Sequence, residues 1–104
     1  MRYTIQFGKT INHEKHYEQA KSLLIMLFGE VQFSEPTYSR DYNAAPDDEN
    51  ASTYLNFTAA FTTLFTPHEL RRLLKKLERE MGRKPKREAE GIIDADFDLV
   101  KWRL

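Results

Sequence analysis

Ser52-Thr53-Tyr54-Leu55-Asn56-Phe57-Thr58-Ala59-Ala60-Phe61-Thr62-Thr63-Leu64-Phe65 decides how this chain folds. It is rich in Thr, Phe and Tyr, residues that suit a half-buried pleated surface. Side chains two apart on a strand project to the same side. Tyr54, Asn56 and Thr58 therefore share one face, while Leu55, Phe57, Ala59 and Phe61 take the other. Ile93-Asp94-Ala95-Asp96-Phe97-Asp98 alternates in the same way, with three aspartates opposed to Ile93, Ala95, Phe97 and Leu99. If both apolar faces pack on the same helices, both polar faces line one open side of a sheet.

The elements around these strands supply the helices. Thr66-Pro67-His68-Glu69 reads as a capping box with proline at the first helical position. Leu70, Leu73, Leu74, Leu77 and Met81 form an apolar stripe, Gly82 ends the helix, and Arg71, Arg72, Lys75, Lys76 and Arg79 cover the outer face. Toward the start, Tyr3, Ile5 and Phe7 alternate with Arg2, Thr4 and Gln6, and Gly8-Lys9-Thr10-Ile11 reads as a turn. Asn12 is a good N-cap for a helix whose stripe is Tyr17, Ala20, Leu24, Leu27 and Phe28, stopped by Gly29. Val31 and Phe33 begin a further strand, interrupted near Pro36. Residues 40–52 lack apolar periodicity and read as a long mobile loop, and a second loop covers 83–91. The order is β-α-β-β-α-β, an α+β ferredoxin-like plan with a four-stranded antiparallel sheet and two helices on one face. Residues 1–104 are expected to form one domain.

Composition narrows the function. The chain has 104 residues, 40% apolar and 31% charged, as in ordinary globular proteins. No apolar run approaches the roughly 20 residues that span a bilayer, and Met1-Arg2-Tyr3-Thr4-Ile5 reads as a strand and not a signal peptide. The absence of cysteine excludes disulfides and thiolate metal sites and fits a cytoplasmic protein. The net charge is zero, yet nine of the 16 basic residues lie between Arg71 and Arg87.

Three features point to chemistry. Asp94 and Asp96 sit about 7 Å apart along a strand, a workable span for hard cations bridged by phosphates; an acidic solvent-facing edge strand explains them equally. Arg83, Lys84, Lys86 and Arg87 follow a helix C-terminus, where positive charge is favourable on its own account. Beside a carboxylate cluster they would also suit a nucleotide triphosphate. Asn56, an amide in a β-favouring run, offers a donor and an acceptor to a heterocycle edge, with Tyr54 as a flat neighbour; a half-exposed polar pair is the plainer account. His13, His16 and His68 show no metal-ligand spacing and receive no role. An RNA-recognition-like module shares the topology. However, Asp94, Asp96 and Asp98 would meet the phosphates, and no Lys/Arg-Gly-Phe/Tyr motif is present, so no nucleic acid and no membrane are expected as partners.

Tyr54-Leu55-Asn56, Leu64-Phe65-Thr66-Pro67-His68-Glu69-Leu70, Leu77-Glu78-Arg79-Glu80-Met81-Gly82-Arg83 and Ile93-Asp94-Ala95-Asp96 together resemble a known family in order and spacing. It is that of the hydroxymethyldihydropterin pyrophosphokinases of folate biosynthesis. The first half is more loosely similar, through Gly8, Phe33-Ser34 and Tyr38. The resemblance implies a ferredoxin-like transferase (a kinase that moves pyrophosphate) with ATP as co-substrate, a pterin as acceptor and two magnesium ions. It further implies that Asp94 and Asp96 hold the metals and that Asn56 hydrogen-bonds the pterin beside Tyr54. Arg83 would face the phosphates as a catalytic residue. Glu78, Lys75, Lys84, Lys86 and Phe97 would lie on the nucleotide side, Phe97 flanking the adenine by ring or backbone. The loops 40–52 and 84–91 would close over the site.

The chain also departs from the family pattern. Gly8-Lys9-Thr10-Ile11 stands for Gly-Ser-Asn-Leu, the Thr-Pro-Pro is absent around Ser39-Arg40-Asp41, and Lys75 stands for a glutamine. Gly91 stands where an arginine precedes the Asp-x-Asp strand, and the loop tryptophan is missing, since the only Trp is Trp102. Family members typically continue past the equivalent of Leu104. The alternatives left open are a homo-oligomer or partner chain that completes the site, and, for the activity, a compact pyrophosphokinase or a non-catalytic relative that binds a pterin or nucleotide.

Overall fold

The computed structural model describes residues 1–10, 15–40, 53–84 and 95–103. The elements are β1 (Arg2–Thr10), α1 (Lys15–Phe28), β2 (Gln32–Phe33), β3 (Thr37–Arg40), β4 (Thr53–Thr62), α2 (Pro67–Glu80) and β5 (Asp96–Arg103). All pairings are antiparallel. The sheet runs β2-β4-β1-β5, with β3 also on β4. This is the expected α+β ferredoxin-like arrangement, with one strand broken in two around Pro36 so that the sheet has five strands.

Alternation builds the core as anticipated. Tyr3, Ile5 and Phe7 of β1, Leu55, Phe57, Ala59 and Phe61 of β4, and Phe97 of β5 are buried on one face. Ala20 and Leu24 of α1 and Leu70, Leu74 and Leu77 of α2 join most of them in one cluster, so both helices cover the same side. At the middle of the sheet Phe7 lies opposite both Phe57 and Phe97, with ring centroids 5.1 Å and 4.9 Å away. The α2 capping box forms in full: Thr66 Oγ1 accepts from the Glu69 N–H at 3.2 Å and Glu69 Oε1 from the Thr66 N–H at 3.0 Å. The helix ends where Gly82 takes a φ of 96°, a left-handed geometry costly for any residue with a Cβ.

Three local expectations are corrected. Gly8, Lys9 and Thr10 do not turn; they continue β1, paired with Asn56, Leu55 and Tyr54. Turn-like composition is overruled there by a ready-made partner strand. β4 ends at Thr62 rather than Phe65, and Leu64 is 99% exposed in the link to Thr66. Leu27 lies outside the α1 stripe, because Tyr17, Ala20, Leu24 and Phe28 already define the face that meets the sheet. The helix cap at Asn12, His13, the loop between β3 and β4, and Lys86, Arg87 and Asp94 lie outside the described residues.

Truncating Phe7 to alanine removes a ring touching two others and should cost about 3–5 kcal/mol. Leu64→Ala should change stability by less than about 0.5 kcal/mol. Urea unfolding of both variants checks the contrast; equal losses would contradict this core.

Candidate active site

The open face is organised around Gly8. In the middle strand it is paired with Asn56 of β4 on one side and Asp96 of β5 on the other. Directly opposed residues in antiparallel strands project to the same side, so amide and carboxylate flank a position that has no side chain. A Cβ on Gly8 would stand 3.0 Å from Asn56 Oδ1. The next row repeats the pattern, with Gln6 between Thr58 and Asp98.

Asn56 is held from two sides. Its Nδ2 donates to Ser39 Oγ at 3.3 Å, and its Oδ1 accepts from Gln6 Nε2 at 3.5 Å. β3 thus serves the site as well as the sheet, since Thr37 and Ser39 oppose Asn56 and Tyr54. Tyr54 is half-buried on the same face.

A second group closes the site at the sheet edge. Glu78, near the end of α2, is 5% exposed. Its Oε2 accepts from the Phe97 N–H at 2.8 Å and pairs with Arg83 Nη1 at 3.2 Å. The same Nη1 pairs with Asp96 Oδ1 at 2.8 Å and donates to the Ala95 carbonyl at 3.3 Å. Arg83 lies just past the helix stop, its own N–H donating to the Glu78 carbonyl at 3.1 Å. One guanidinium nitrogen therefore joins the end of α2 to the start of β5.

The carboxyls in this group are perturbed. Burial is the main cause raising the Glu78 pKa, opposed by the Phe97 N–H, Arg83 and Lys75. Partial desolvation, followed by a hydrogen bond and charge repulsion from Asp96, raises that of Asp98. Lys75, exposed on α2, is close enough for its charge to favour the ionised form of both.

Asn56, Tyr54 and Asp96 thus share the open face, with Arg83, Glu78 and Lys75 along its β5 edge. Lys84 is exposed just beyond Arg83, while Lys86 and Asp94 lie outside the described residues. The Phe97 ring is buried against Phe7, so of this residue only backbone remains at the edge, and its N–H is already taken by Glu78. Asp98 next to Asp96, Ser39 and Gln6 bracketing Asn56, and Lys9, 1% exposed on the core face of β1, received no role from the sequence. Asp98 had a usable signal, the spacing of two from Asp96; the brackets of Asn56 depend on strand pairing and had none. Among the described residues no group of three or more His, Asp or Glu is placed to hold a metal ion. Asp96 and Asp98 supply two hard oxygen donors of the kind magnesium accepts. None of the described helices is long and apolar enough to cross a membrane.

The molecule so far is a ferredoxin-like α+β protein whose sheet face away from the helices carries an amide and a pair of carboxylates. Residues 4–104 match the family model described as 7,8-dihydro-6-hydroxymethylpterin-pyrophosphokinase, and the chain belongs to that family. The family transfers a pyrophosphoryl group from ATP to hydroxymethyldihydropterin in folate synthesis. No curated protein matches the chain.

Burial raises the Glu78 pKa in the folded state, so the fold binds more protons there than the unfolded chain. That contribution is full below the ordinary value of 4.5 and is lost as pH rises toward the raised value. Glu78→Gln should flatten this fall in stability. Urea midpoints measured from about pH 4 upward would show it; a slope identical to that of the unmodified protein would refute the burial assignment.

Proposed function

We propose that this chain catalyses magnesium-dependent transfer of a pyrophosphoryl group from ATP to the hydroxymethyl group of 6-hydroxymethyl-7,8-dihydropterin, as one domain spanning residues 1–104. The single observation that supports this most is the row Asn56–Gly8–Asp96, an amide and a carboxylate on one face, two strands apart.

Asn56, fixed by Ser39 and Gln6, would orient the pterin by donor and acceptor together, beside Tyr54. Asp94 and Asp96, joined by Asp98, would hold two magnesium ions, whose charge would neutralise the β- and γ-phosphates. The pterin hydroxyl oxygen would bond to the β-phosphorus while the bond from that phosphorus to the α–β bridging oxygen breaks. AMP leaves, and the hydroxyl proton passes to solvent. Arg83 would exchange Asp96 for phosphate oxygens, with Lys75, Lys84 and Lys86 adding charge on the nucleotide side. In this scheme catalysis is positioning and charge stabilisation, with no covalent protein intermediate.

A second reading, a relative that binds the pterin without catalysis, is favoured by the pairing of Arg83 with both Glu78 and Asp96. Calorimetry with the reduced pterin and a non-hydrolysable ATP analogue, with and without magnesium, separates the two. The catalytic reading expects nucleotide binding that requires magnesium and vanishes in Asp94→Ala and Asp96→Ala. Pterin binding with no nucleotide binding selects the second reading. Asn56→Ala should weaken pterin binding about 10–100-fold, as for a lost pair of hydrogen bonds worth about 1–3 kcal/mol. Unchanged affinity would remove Asn56 from the pterin site.

A further inference from the structure

The end of the open face remote from Asn56 has the opposite electrical character, and a β-bulge creates it. Asp96 and Asp98 oppose Gly8 and Gln6, then the register shifts between Thr4 and Ile5, so that Lys101 opposes Thr4 and Arg103 opposes Arg2. Strict alternation from Asp98 would send Lys101 and Arg103 to the core side. The extra residue, Val100, reverses the parity and returns both to the open face. Arg2 is already oriented there, donating from Nη2 to Gln32 Oε1 at 2.8 Å and from Nη1 to Thr62 Oγ1 at 3.5 Å.

Arg2, Lys101 and Arg103, with Thr4 and Trp102, line a depression of about 380 Å³. No acidic residue lines it, and among the described residues none of its three cations has a carboxylate partner. Neighbouring strands lie about 5 Å apart and alternate residues about 7 Å apart, so Lys101 and Arg103 stand together on β5, with Arg2 beside them on β1 and its guanidinium turned toward Gln32 and Thr62. Charge concentrated in a concave surface favours a compact polyanion whose oxygens several donors can reach at once. A long polyanion laid along the face would instead run onto Asp98 and Asp96. Gly8 lies six residue steps along β1 from Arg2, about 20 Å, so this is not the Asn56–Asp96 site.

We propose that this depression is a second site, for an oligophosphate group, with Arg2, Lys101 and Arg103 as its ligands. The group could arrive as free oligophosphate or as the tail of a nucleotide. Trp102 opposes the core residue Tyr3 and its ring lies beneath Arg71 of α2, on the helix side of β5, so binding at this site is read by calorimetry.

The test is a calorimetric titration with inorganic tripolyphosphate at fixed ionic strength, with a chelator present to keep the aspartates free of metal. A saturable change is expected. It should weaken at least about tenfold in the Lys101→Ala/Arg103→Ala double variant, survive in Lys101→Arg/Arg103→Lys, and be unaffected by Asp96→Asn. Both cations are exposed on an edge strand, and circular dichroism confirms the fold of each variant. A parallel ATP titration distinguishes the sources: tighter binding than tripolyphosphate identifies a nucleotide tail, equal binding a free oligophosphate. The proposal is overturned by the absence of saturation, by undiminished affinity in the double alanine variant, or by a single-stranded oligonucleotide binding more tightly than either. Because the chelator and Asp96→Asn silence the metal-dependent site, failure here leaves the pyrophosphokinase reading untouched, and the reverse also holds.

Discussion

The register of β1 against both its neighbours governs this molecule. The strand is hydrogen-bonded on each side, to β4 through nine residues and to β5 through seven. Because side chains alternate with a period of two, a slip of one residue would turn Phe7 outward and bury Gln6. The Phe57–Phe7–Phe97 row fixes the register from the core side. The same register sets Asn56 and Asp96 on either side of Gly8, so hydrophobic packing below the sheet determines which polar groups meet above it. The glycine leaves room for the Asn56 amide: a Cβ there would stand 3.0 Å from Asn56 Oδ1, so a larger residue would require that amide to shift.

The second constraint is the junction between α2 and β5. A buried carboxylate costs free energy unless it is paired and hydrogen-bonded. Glu78 meets both conditions, through the Phe97 N–H and Arg83, and those partners lie 19 and five residues away in sequence. The Phe97 N–H belongs to the edge strand, where an unpaired donor would otherwise face solvent or another chain. The helix therefore protects the sheet edge and aims a guanidinium at Asp96 with one side chain.

Much of this was legible in the sequence, for identifiable reasons. Alternation in Tyr3-Thr4-Ile5-Gln6-Phe7 and in Leu55-Asn56-Phe57-Thr58-Ala59 gave the two faces, because half-buried strands impose a period of two. Thr66-Pro67-His68-Glu69 announced its helix, since capping is local chemistry. The candidate residues Asn56, Tyr54, Asp96 and Arg83 stand out by spacing or composition as well as by the family pattern, and Glu78 by the family pattern alone. What could not be read depended on distant partners. Gly8-Lys9-Thr10 has the composition of a turn, yet Asn56, Leu55 and Tyr54 hold it extended. Glu78 looks like one more helix-surface acid until β5 is laid beside it. The parity reversal at Val100 leaves no trace in Asp98-Leu99-Val100-Lys101, because a bulge is a property of two strands and not of one.

The Arg83 bridge has a further consequence. Clustered carboxylates ordinarily repel, so that a fold built around them leans on a bound cation for its own integrity. Here the chain carries an internal counterion, anchored at a helix end and already touching Asp96 and Glu78. Arg83 thereby offsets the charge of Asp96 and Glu78 at this edge. The junction of α2 and β5 therefore closes on a counterion that the chain itself supplies.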